Sequence, residues 1–167
     1  APFDELGSIW RDHFINNREL RLGYFDEATT VDLLRHPTPH FPDDAIPEPV
    51  AAAIYQRTGG QPYLVHLYGH ILVDRLNDAK RKQAEPADLE PVEREVVRQG
   101  TTYFGWMVKD CAEEPRRAFL KLAKGEPVPI SPKHQQALER RGLLTPQGRM
   151  AVPVIARWIE ENLADEE

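Results

Sequence analysis

Thr58-Gly59-Gly60-Gln61-Pro62-Tyr63-Leu64-Val65-His66-Leu67-Tyr68 is the stretch on which the reading of this chain turns. Two adjacent glycines release a turn, and Pro62 then opens an amphipathic helix. Proline is tolerated at the first helical position because an N–H there would have no intrahelical acceptor. The glycines lack a Cβ, so other groups can come close to the amides that follow. A helix start of this kind favours anions, phosphate included. The same pattern also serves a plainly structural purpose, ending one helix and starting the next.

Downstream, Leu64, Leu67, Tyr68, Ile71, Leu72 and Leu76 recur at three- and four-residue spacing, which predicts a helix with one continuous apolar stripe. Asp74, Arg75, Asn77, Asp78 and Lys80 to Lys82 mark its solvated side and its end. Upstream, Pro49 to Arg57 predicts a short helix with Val50, Ala53 and Ile54 inward. Before it, His36-Pro37-Thr38-Pro39-His40-Phe41-Pro42 is too rich in proline to be helical and reads as a strap. It stops a helix through Ala28, Val31, Leu33 and Leu34 that Asp26 can cap. Pro86, with Asp88 in the first turn, opens a helix through Leu89, Val92, Val96 and Val97 toward Tyr103, Phe104 and Trp106.

Phe3 to Phe25 reads as a helix on Leu6, Ile9, Trp10 and Phe14, followed by a strand over Arg18 to Tyr24 with period-two alternation. A lone strand leaves its backbone groups unsatisfied. Sheet partners are therefore expected upstream of Ala1, or else pairing with a second copy into a homodimer. Past Asp110 the pattern changes. Glu113 to Lys124 is a helix with Phe119, Leu120 and Ala123 inward, and Ser131-Pro132 caps a second one carrying Ala137 and Leu138. Gly142 suits a left-handed cap. Thr145 to Arg149 turns between short strands Leu143-Leu144 and Met150-Ala151-Val152. The closing helix, Val154 to Leu163, buries Ile155, Trp158 and Ile159. Helix, helix, small hairpin and helix is the outline of a winged-helix domain.

Composition sets the outer bounds. A chain of 167 residues with 41% hydrophobic content can bury a core, as one domain or two small ones. Its single cysteine, Cys111, rules out an internal disulfide framework, and no apolar run is long enough for a membrane span or signal core. A soluble, cytoplasmic protein with no membrane partner is the expectation. The formal net charge of −6 gives no global attraction to nucleic acid. Acidic and basic residues balance from Ala112 onward, so the first part carries the deficit.

Taken in order, Arg21-Leu22-Gly23-Tyr24-Phe25-Asp26-Glu27-Ala28, Leu33-Leu34-x-x-Pro37, Thr58-Gly59-Gly60-Gln61-Pro62-Tyr63-Leu64-Val65, Leu72-Val73-x-x-Leu76-Asn77, Arg141-Gly142-Leu143-Leu144 and Val152-Pro153-x-x-x-x-Trp158-Ile159 resemble the C-terminal half of AAA-type signalling ATPases of the STAND class. The resemblance covers nearly the whole chain. It implies a mainly α protein: a remnant of an α/β NTPase core over 1–25, a helical-bundle lid over 26–110 and a winged-helix domain over 111–167. It further implies that Gly60, Gln61, Pro62 and Tyr63 face adenine or ribose when the upstream NTPase core of the same protein supplies ATP or ADP with Mg²⁺. The chain itself carries no Gly-x-x-x-x-Gly-Lys-Ser/Thr loop and no strand ending in a Mg²⁺-binding acidic pair. It is therefore expected to be non-catalytic and to hold no cofactor alone.

Other candidates are weaker. Lys133, Arg140, Arg141 and Arg149 can meet phosphates if Ser131 to Arg141 is a recognition helix, which makes a free-standing winged-helix DNA-binding or transcriptional adaptor the alternative. Glu139 among them and the local neutrality favour a protein partner. His66 and His70 have the spacing of a shared metal but lack the glutamate of His-Glu-x-x-His, and they read as half-buried polar residues. His36 and His40 lie in the proline strap. Cys111, Ser8 and Ser131 have no nucleophile context.

Overall fold

The computed structural model describes residues 23–164. The protein is mainly helical, and no strand occurs among the described residues. The expected helix of Phe3 to Phe14 lies outside them. So does most of the strand expected over Arg18 to Tyr24, whose last residues, Gly23 and Tyr24, have no regular structure.

Helix α1 (Glu27–Arg35) starts where expected, with the Asp26 carboxylate accepting the Thr29 N–H at 2.7 Å. His36-Pro37 ends it, and the strap follows through two tight turns, Phe41 N–H to Thr38 at 3.1 Å and Ala45 N–H to Pro42 at 3.0 Å. The strap is anchored: Ala45 and Ile46 are buried, and the Ala45 carbonyl accepts the Ala84 N–H at 2.9 Å. Helix α2 (Glu48–Thr58) ends on Gly59 in the left-handed region at φ 59°. Helix α3 (Pro62–Asp78) buries every residue of the expected stripe, and Val65 with them. Gly69 lets α1 approach, since a Cβ there would stand 3.1 Å from a Leu34 methyl.

The single helix expected from Pro86 to Trp106 is corrected. Pro86–Asp88 is one 3₁₀ turn, α4 spans Leu89–Gln99 and α5 spans Thr101–Lys109. The bend falls at Gly100, where a Cβ would meet the Phe104 ring and the Val96 carbonyl, each at 2.8 Å. Phe104 folds back onto that gap and is fully buried.

Helices α6 (Glu113–Ala123), α7 (Pro132–Arg140) and α8 (Ile155–Asn162) match the expected C-terminal order. Ser131 caps α7 through His134 N–H at 3.3 Å, and Gly142 takes a left-handed φ of 70° after it. The hairpin, however, shrinks to one antiparallel bridge, Leu144 with Met150, flanked by Thr145 N–H to Arg149 at 2.7 Å and Ala151 N–H to Leu143 at 2.9 Å. Its second arm leaves early because Pro153 has no N–H for a ladder, and because Ala151 to Val154 pack on the α2–α3 turn instead.

One hydrophobic cluster runs through the described residues from Leu34 to Leu163, across the boundary expected at 110/111. Helix α8 packs on α4, α5 and α6, and Trp158 lies 6.0 Å from the Phe104 ring.

Candidate functional site

The α2–α3 turn is held from inside. The Thr58 hydroxyl donates to Ile54 at 2.9 Å and accepts the Gly60 N–H at 3.2 Å. Gln61, nearly buried, accepts the Leu64 N–H on its side chain at 2.7 Å and the Val65 N–H on its carbonyl at 2.9 Å. With Pro62 lacking an N–H, Tyr63 carries the remaining amide of the first helical turn. Gln61 thus does the capping work that an anion would do at a bare helix start.

Both glycines are occupied by backbone. Gly60, at φ 77°, sits where a Cβ would lie 1.9 Å from the Phe25 carbonyl oxygen, and its own carbonyl accepts the Phe25 N–H at 2.8 Å. Gly59 is equally close to Ala151, at 1.8 Å. The approach that the glycines allow is therefore made, within this chain, by the segment preceding α1 and by the end of the former hairpin.

Beside the turn an aromatic strip reaches solvent. Tyr63 is 43% exposed and its ring lies 4.8 Å from Tyr103, which lies 6.4 Å from Trp106, itself 61% exposed. The Tyr24 hydroxyl, close enough to Tyr103 for the two phenols to influence one another, donates to the Gly142 carbonyl at 3.0 Å. Burial raises the pKa of both phenols. Sequence reading placed Tyr103 and Trp106 on a helix but assigned neither them nor Tyr24 to a site. The Tyr103-x-x-Trp106 spacing, which sets both rings on one face, was the available signal.

Behind the turn lies an ion-pair network. The Glu93 carboxylate, with a side chain only 17% exposed, accepts Arg57 Nε at 2.9 Å, the Tyr68 hydroxyl at 3.0 Å and Arg157 Nη1 at 3.1 Å. Arg157 also pairs with Glu90 at 3.1 Å and Glu161 at 2.9 Å. Hydrogen bonds that Arg157 donates to these carboxylates, above all to Glu161, outweigh desolvation and raise its pKa. Burial, then the neighbouring Glu93 charge, raises that of Tyr68.

Asp88 lies in the first turn as the sequence predicts, but its carboxylate is buried and accepts Arg75 Nε at 2.9 Å, Glu85 N–H at 2.8 Å and Arg81. Burial opposes its ionisation, but the bonds from Arg81, Glu85 and Arg75 prevail and bring the carboxyl down to about 2.

The remaining candidates separate. Lys133, Arg140 and Arg149 are exposed, whereas Arg141 is partly covered and paired with Asp110 at 2.6 Å. The 145–149 turn adjoins α7 through Gln135, which donates to the Pro146 carbonyl at 3.1 Å. His66 and His70 are exposed at the rim of an apolar groove lined by Leu34, Phe41, Ile46 and Val65, not half-buried as expected. His70 lies 3.4 Å from Asp74, and no group of three or more metal-ligating side chains occurs among the described residues. His36 pairs with Asp32 at 3.0 Å, and His40 is exposed. Half-buried Cys111 lies 3.7 Å from the Met107 carbonyl, and burial raises its thiol pKa, which disfavours the nucleophilic thiolate. Ser131 is spent on its cap, and Ser8 lies outside the described residues.

No helix among the described residues is long and apolar enough to cross a membrane. A scan against protein-family models finds no match, and searches of curated proteins and of solved structures find none either.

Proposed function

We propose that this chain is a non-catalytic regulatory portion of a STAND-type ATPase, a lid that reads the nucleotide state of an upstream P-loop core and relays it to a winged-helix unit. The observation that carries the reading is the pairing of Gly60 with Phe25, which ties the start of α3 to the chain that would arrive from such a core. Tyr63 stands exposed next to it, free to meet a base or ribose. Nucleotide would act by favouring one arrangement of core and lid over another. Gly60, Gln61, Pro62 and Tyr63 are the residues assigned to ATP or ADP, and only with the core present.

The test is a nucleotide titration of the protein extended to its natural upstream sequence. Gly60→Val and Pro62→Ala are expected to weaken binding by about tenfold or more, about 1.4 kcal/mol. Wild-type affinity and turnover in both variants would remove the turn from the nucleotide site. Absence of a phosphate loop upstream would remove the whole reading.

A second reading, a DNA-binding module, is supported by exposed Lys133, Arg140 and Arg149 on α7 and the adjoining turn. The Asp110 partner of Arg141 and the neutral charge of the C-terminal part weigh against it, since duplex affinity grows with the phosphates neutralised. A protein partner for the winged-helix unit suits that surface better.

A further inference from the structure

The four residues Arg57 to Gly60 touch parts of the chain that are distant in sequence. On one side Gly60 is bonded to Phe25. On the other, the Arg57 carbonyl accepts the Val154 N–H at 2.9 Å, Gly59 abuts Ala151, and the Arg57 guanidinium shares Glu93 with Arg157. A parallel tie runs from Tyr24, next to Phe25, to the Gly142 carbonyl, where a Cβ on Gly142 would stand 2.2 Å from the Tyr24 hydroxyl. The segment before α1 is thus fastened to the lid at Gly60 and to the C-terminal unit at Gly142, and the lid is fastened to that unit at Gly59 and Arg57.

We infer that Tyr24-Phe25 and Arg57 to Gly60 form a mechanical junction whose Gly59–Ala151 and Arg57–Val154 contacts dock the 143–158 segment onto the lid, so that displacement of the incoming chain releases that segment. The contacts at Gly59, Gly60 and Arg57 are backbone to backbone at van der Waals or hydrogen-bonding range. Packed interfaces of this kind do not stretch; they are either seated or parted. Moving Phe25 by an ångström must move Gly60, and Gly59 and Arg57 are its near neighbours in the same turn. The apolar residues that keep the unit docked, Val152, Val154, Ile155 and Trp158, follow immediately after Ala151 and are all buried. Arg157, reaching Glu90 and Glu93 of α4, closes the far side of the same seam. The direction of signalling rests on the function proposed above, whereas the docking contacts do not.

Hydrogen exchange on the full chain without nucleotide tests the junction. Gly59→Ala places a methyl against the Ala151 carbonyl and is expected to speed exchange at residues 143–163 by about tenfold or more, with 62–99 changing less than about twofold. Arg157→Gln, which leaves every backbone contact in place, is expected to act in the same region more weakly. Equal loss of protection in both regions, or no change in either, overturns the junction. Should Gly59→Ala unfold the whole chain, Arg157→Gln decides by the same two criteria. Because no nucleotide is present, failure here leaves the nucleotide reading standing. Failure of nucleotide binding in the extended protein likewise leaves the junction standing.

Discussion

Gly59 and Ala151 meet so closely that a Cβ on Gly59 would stand 1.8 Å from the Ala151 carbonyl oxygen. A glycine that ends α2 is thereby also the floor on which the C-terminal unit sits. The double glycine carries two separate demands, since Gly60 meets Phe25 rather than Ala151.

Close approach and backbone conformation can be told apart by comparing glycines. Gly60 and Gly125 share φ 77°, but nothing lies within 4 Å of a Cβ at Gly125. Gly125→Ala is expected to cost about 1 kcal/mol from the left-handed conformation alone. Gly60→Ala should cost roughly 2–4 kcal/mol, because Phe25 must also move. Denaturant unfolding of both variants measures the difference, and equal costs would show that the Phe25 contact yields freely.

Asp88 gives the protein an acid-sensitive element. Its carboxyl titrates at about 2 when folded, below the value near 4 of an unfolded chain. A depressed folded pKa stabilises above the unfolded pKa, so its contribution is complete above about pH 4 and is lost as pH falls toward 2. Asp88→Asn should cost on the order of 1–3 kcal/mol at neutral pH and flatten the stability profile between pH 4 and 2. A variant whose profile falls as steeply as wild type in that window would assign the acid sensitivity elsewhere.

Trp106 and Trp158 should behave as opposites. Trp106 is 61% exposed and Trp158 only 3%. Trp106→Ala is expected to change stability by less than about 1 kcal/mol, whereas Trp158→Ala should cost about 3–5 kcal/mol. Thermal unfolding reads both. A large loss on replacing Trp106 would mean that the aromatic strip is covered in solution.

Around Glu93 the terms are coupled. Tyr68→Phe removes one hydrogen bond and should cost about 1 kcal/mol. Glu93→Gln leaves Arg57 and Arg157 without their shared charge and should cost more, with a coupling of about 0.5–2 kcal/mol to Arg157→Gln in a double-mutant cycle. Additive single-variant effects would mean that the pair is screened by solvent.

Duplex DNA should not be retained at physiological ionic strength. Lys133→Ala and Arg149→Ala would then change nothing in a gel-shift titration. A retained complex weakened by either substitution and by salt would favour the DNA-binding reading.

Much of the fold was legible along the chain because its signals are local. The α3 stripe, the Asp26 and Ser131 caps, Pro62 and Pro132 at their helix starts and Gly59 at a helix end each act within a few residues, and these lie where the sequence predicts them. The bend at Gly100 and the reduced hairpin were not legible, because each is set by a contact: Phe104 folding back on Gly100, and Ala151 to Val154 leaving a ladder to pack on the α2–α3 turn. The turn at Gly59-Gly60 could be marked from sequence as a place of close approach, yet the identity of the approaching groups could not. The spacing of Asp88 likewise announced a helix start and nothing of the burial it undergoes with Arg75 and Arg81. Short windows of sequence carry propensity and period, and these suffice for most of the helices and their apolar faces, the break at Gly100 excepted. The meetings of Gly60 with Phe25, Gly59 with Ala151 and Gly142 with Tyr24 arise in the folded chain alone, because they depend on how buried faces far apart in sequence exclude water together.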